Sequence, residues 1–73
     1  MYDIRMKIGQ KIKELREKAK ISQKDLAYSA DLDRSYIASI ESGQRNVSII
    51  NIEKITKALN VTVKEFFSDK LFI

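Results

Sequence analysis

Residues Leu32–Asn46 read LDRSYIASIESGQRN. Asp33 stands where a helix would be capped, and Gly43 where it would end, since glycine adopts the left-handed conformation of a helix C-terminus without steric cost. Between them only Ile37 and Ile40 are large aliphatics at helical spacing. The other positions hold Arg34, Ser35, Tyr36, Ala38 and Ser39. Such a helix has one apolar edge with which to dock. Opposite it lies a face of small hydrogen-bonding groups, left free to meet something outside the domain.

Upstream, Ser22-Gln23-Lys24-Asp25 resembles a capping box with Asp in place of Glu, and it predicts a short helix to about Ala30 that buries Leu26, Ala27 and Ala30. Asp31-Leu32 makes the turn. Two short helices joined by a tight turn form a helix-turn-helix, over residues 22–43 here, and the second helix of that motif lies in the DNA major groove. Arg34 suits the O6 and N7 acceptors of guanine, and serine can pair with several base edges.

The flanks complete an all-α domain. Ile4, Ile8, Ile12, Leu15 and Ala19 form one stripe of a first helix capped by Asp3, with Lys7, Lys11, Lys13, Glu14 and Lys18 mostly off it. Gly9 inside this helix costs about 1 kcal/mol against Ala, which predicts close packing by a neighbouring helix. Ser48 caps a fourth helix with Ile49, Ile52, Ile55 and Leu59 on one side. Thr62-Val63-Lys64-Glu65 is a full capping box for a last short helix holding Phe66 and Phe67. The prediction is a compact five-helix fold in one domain, residues 1–73.

Composition excludes several chemistries. Among 73 residues there is no Cys and no His, which removes disulfides, ordinary zinc sites and the common acid–base and nucleophile pairs. Two glycines make no phosphate-cradling loop. Asp31, Asp33 and Ser35 imitate the start of a calcium loop, but Tyr36 and Ser42 occupy its glycine and bidentate-glutamate positions. The expectation is a protein that is not an enzyme and needs no cofactor, metal or small-molecule ligand. Fourteen Lys and Arg against ten Asp and Glu leave a charge of +4, compatible with a polyanionic partner. No apolar run approaches the roughly 18 residues that span a bilayer, and "MYDIRMKIGQ" lacks a signal-peptide apolar segment. A cytoplasmic, nucleoid-associated protein of a bacterium or phage is expected.

The run SQKDLAYSADLDRSYIASIESGQRNVSIINIEKITKALNV, with IGQKIKELREKAKI before it, resembles the Cro/repressor-type (xenobiotic-response-element) helix-turn-helix family, whose domain is lambda-repressor-like. The features that carry the likeness are Gln23, Leu26-Ala27, Ile37 and the Ile40-Glu41-Ser42-Gly43 run. LDRSYIASIESGQRN is most similar to the small controller proteins of restriction–modification systems. The resemblance implies that Arg34, Ser35 and Ser39 face bases. It places Gln23, Tyr36, Arg45 and Asn46 on the sugar-phosphate backbone or groove edge, and it pairs Arg16 with Glu41 in a structural ion pair. It departs at Asp31, where the family usually has Gly; Asp tolerates left-handed geometry better than most residues.

One recognition helix reads too few base pairs for selectivity, so a homodimer on a pseudo-palindromic operator in double-stranded DNA is expected. Adjacent Ile49 and Ile50 cannot both enter one small core, and Phe66, Phe67, Leu71, Phe72 and Ile73 exceed what one closing helix needs. These assign a dimerisation region to residues 48–73, with Ile49, Ile50, Phe66 and Phe67 at the interface. The reading is a transcriptional regulator acting on its own promoter and on an endonuclease gene, with RNA polymerase a candidate further partner. A phage-type repressor, an antitoxin-like autoregulator and a protein-interaction adaptor remain the alternatives.

Overall fold

Helix starts and stops are written into the chain by hydrogen bonding, and the computed structural model describes residues 3–72. Among these are five α-helices: α1 (Ile4–Lys18), α2 (Gln23–Ala30), α3 (Arg34–Glu41), α4 (Ile49–Ala58) and α5 (Val63–Phe67). A 3-10 turn, Lys70–Phe72, follows. Asp3, Ser22, Ser48 and Thr62 each accept a backbone N–H of the first turn they cap, and Glu65 donates no proton but accepts the Thr62 N–H in return. Asp33 is the exception. Its side chain makes no capping bond, and the Tyr36 and Ile37 N–H groups both donate to the Asp33 backbone carbonyl at 3.1 Å.

The first four helices end alike. Lys20, Asp31, Gly43 and Asn60 follow them with φ of 61°, 58°, 77° and 61°. The next residue in each case (Ile21, Leu32, Gln44, Val61) donates back to a carbonyl five residues earlier at 2.9–3.2 Å, as in the Schellman ending. Ile21 and Leu32 fold back onto the core in this way. Asp31 takes the left-handed position with φ of 58°, so the turn is intact without a glycine.

The core is small and aliphatic: Ile8, Ile12, Leu26, Ala27, Ala30, Ile37, Ile40, Ile52 and Ile55, closed by Phe66. α3 packs on both α1 and α2, α4 on α2, and α5 on α4. Gly9 is buried where α1 crosses the end of α3. A Cβ there would overlap the Ile40 carbonyl oxygen and stand 3.0 Å from that of Glu41. Gly9→Ala should therefore lower stability by about 1–3 kcal/mol in a denaturant titration, despite the better helix propensity of Ala. A variant at least as stable as wild type would show that α1 can back away from α3.

Two apolar expectations are corrected. Ile4 and Ala19, the two ends of the expected α1 stripe, are exposed, because α1 enters and leaves the core between them. Phe66 is only 1% exposed and belongs to the protomer's own core, so it cannot serve as a dimer contact. Phe67 is half-buried, its ring edge-on to those of Phe66 and Phe72 at 4.9 Å from each. Phe72, also half-buried, packs against the core as well. The end of the chain is clasped to α1: Lys11 Nζ meets Asp69 at 2.6 Å and Lys7 Nζ donates to the Leu71 carbonyl at 2.9 Å. The Lys11 ammonium, with the Leu71 N–H, holds the Asp69 carboxyl below the usual carboxylate range. Ile73 lies outside the described residues. Ile49 and Ile50 behave otherwise, each 66% exposed at the first turn of α4.

Candidate nucleic-acid interface

α3 presents its side chains on three sides. Ile37 and Ile40 are fully buried and fix the inner edge. A rotation of about 100° per residue then puts Ser35, Ala38 and Ser39 on the outer face. Arg34 and Ser35 are exposed, and Ser39 is half-exposed. Glu41 and Tyr36 lie on the two flanks, and each is tied to a different helix.

On the Glu41 flank, three helices meet at one carboxylate. Arg16 of α1 donates to it through Nε at 2.7 Å and Nη2 at 3.1 Å, and Gln23 of α2 through Nε2 at 3.1 Å. Arg16 Nη1 donates to the Ile21 carbonyl at 2.9 Å, closing the α1–α2 turn onto the same guanidinium. The Glu41 side chain is 4% exposed. Its hydrogen bond holds Arg16 protonated even more firmly than usual. Only the fork of an arginine makes this bidentate contact while reaching a third acceptor. The angle between α2 and α3 is thereby fixed. Gln23 keeps a second amide N–H for an acceptor outside.

On the other flank, the Tyr36 hydroxyl accepts a hydrogen bond from Asn51 Nδ2 at 2.9 Å, and the Arg45 guanidinium lies 4.8 Å above the Tyr36 ring. The structure thus brings Tyr36 and Arg45 together. Asn46 is exposed in the connection that follows α3. Sequence reasoning missed Asn51. The signal was available: it is the one amide in the aliphatic run Ile49-Ile50-Asn51-Ile52.

The exposed side chains of α3 have a defined polarity. Ser39 Oγ donates to the Tyr36 carbonyl at 3.0 Å, so towards a ligand this hydroxyl offers lone pairs. Arg34 offers only donors, and no hydrogen bond or ion pair engages it among the described residues. A cation at the first residue of a helix opposes the macrodipole, so its place there is not explained by helix stability.

Fold and site together define a helix-turn-helix domain. The helix-turn-helix family model matches residues 12–66. Control protein C.MunI of Mycoplasma is 51% identical over 70 residues, covering 94% of this chain and 95% of that protein. The restriction–modification controller C.AhdI of Aeromonas hydrophila superposes with a TM-score of 0.86 at 45% identity, covering 90% of this chain and all of that one. The controller C.Esp1396I, solved as a tetramer in complex with its natural 35 base-pair operator, gives a TM-score of 0.85 at 39% identity, covering 92% of this chain and 88% of that one. The chain belongs to the helix-turn-helix family, among the control proteins of restriction–modification systems.

Proposed function

We propose that this protein is a sequence-specific DNA-binding transcriptional regulator, the controller of a restriction–modification system, acting as a homodimer on its own promoter and on the endonuclease gene. One observation carries the reading. α3 leaves Arg34 at its first turn and Ser35 on its outer face exposed, while the bonds of Arg16 and Gln23 to Glu41 hold that helix at a fixed angle. Likeness to controller proteins, one of them bound to its operator, supports it. Arg34, Ser35 and Ser39 would read base edges, and Gln23, Tyr36, Arg45 and Asn46 would hold the backbone. The exposed pair Ile49 and Ile50, with half-buried Phe67, is the surface offered to a second copy, now without Phe66. Occupancy of a two-fold site then rises steeply with protein concentration, which delays the response of the target genes. No helix among the described residues is long and apolar enough to cross a membrane.

The test uses a duplex that the wild-type protein enriches from a randomised pool. Arg34→Ala should cost about 1–3 kcal/mol on that duplex and blur preference at one base position. Arg45→Ala should weaken enriched and random duplexes alike and flatten the salt dependence. Equal losses on both duplexes from Arg34→Ala would remove the base-reading assignment.

A further inference from the structure

We propose that Asn51 is a positioning residue for DNA recognition, holding Tyr36 so that its hydroxyl proton and the Arg45 guanidinium are presented together to the DNA. The inference rests on the function proposed above. An amide nitrogen can only donate, so in the 2.9 Å contact from Asn51 Nδ2 the phenolic oxygen is the acceptor. The Tyr36 hydroxyl therefore keeps its own proton to donate elsewhere. Phosphate oxygens are acceptors only, and an oxygen that already accepts one hydrogen bond is a better donor in the next.

The same contact bears on Arg45. This residue is exposed and belongs to no helix, and its guanidinium sits 4.8 Å over the ring that Asn51 steadies. Asn51, Tyr36 and Arg45 also line one open groove beside the turn between α2 and α3. The side chain of Asn51 is not needed for the start of α4, because the Ser48 hydroxyl oxygen caps that end by accepting the Asn51 backbone N–H at 3.1 Å. That first turn also carries Ile49 and Ile50. A second copy docking there would brace the turn from which Asn51 reaches Tyr36, coupling the two-fold contact to the DNA contact.

The experiment compares N51A, Y36F and the double variant with wild type, by fluorescence anisotropy on the duplex that wild type enriches from a randomised pool. Each single change should weaken binding about tenfold, the loss of one hydrogen bond to a charged acceptor. The double variant should be no weaker than the weaker single, because both remove one linked arrangement. In the free protein, nitrogen–proton NMR should show the Arg45 Nε–H signal losing its ring-current displacement in N51A, with the melting temperature unchanged. Single losses that multiply, N51A binding as wild type does, or an unmoved Arg45 signal would overturn the assignment. If wild type enriches no sequence at all, it is the DNA reading that fails.

Discussion

Arg16→Met is expected to lower the stability of the domain by about 3–5 kcal/mol, the usual result of leaving one partner of a buried ion pair behind. A 73-residue domain has only about 4–11 kcal/mol in total, at roughly 0.05–0.15 kcal/mol per residue, so the variant would be close to unfolding at physiological temperature. The size of the effect follows from Glu41. Its carboxylate is almost wholly shielded and takes three hydrogen bonds, two of them from Arg16. Without the guanidinium it would keep only the Gln23 amide. The Ile21 carbonyl would lose its Arg16 donor as well. Adding Glu41→Gln to Arg16→Met should recover part of the loss, since a neutral amide is far less costly to bury than an unpaired charge. Denaturant unfolding of the wild type, both singles and the double measures the coupling. Losses within a few tenths of a kcal/mol would mean that the three helices are not joined through this carboxylate.

Phe66→Ala should cost a similar amount, about 3–5 kcal/mol, through lost burial and the cavity left behind. The ring closes the core, with Phe67 and Phe72 at centroid distances of 4.9 and 5.8 Å. Its removal takes away both the floor of the α4–α5 contact and the surface on which the end of the chain folds back. Phe66→Asp should fail to fold altogether, because a carboxylate at that point has no partner. A dimer-contact role would give the opposite outcome, a folded monomer. Circular dichroism and sedimentation of the two variants separate the cases. A well-folded, monomeric Phe66→Asp protein would return Phe66 to the interface.

What could be read directly from the chain were the features enforced locally. Each helix start needs an acceptor within three residues, and Asp3, Ser22, Ser48 and Thr62 supply one. Gly43 marks the end of α3, and Gly9 marks a crossing. What could not be read depends on counting volume and on distant partners. Phe66 and Phe67 are neighbours of equal hydrophobicity, and only the assembled core decides that the first is enclosed and the second half-covered. The clasp of Lys11 on Asp69 joins residues 58 positions apart. Asp33 has the right residue type for a cap, yet its side chain makes no capping bond. At the site, residue type showed which groups α3 presents. The orientation of Tyr36 comes from Asn51 across the α3–α4 connection, and no spacing rule within one helix reveals it.

The central claim is that two copies of α3 read DNA across a two-fold axis. A hydroxyl-radical footprint of the wild-type protein on its enriched duplex tests this most directly. Two protected segments are expected, inverted in sequence, with centres about 34–36 Å apart along the duplex, one turn of the helix. Protection of a single half-site at saturating protein, or protection that spreads evenly over any sequence, would contradict it.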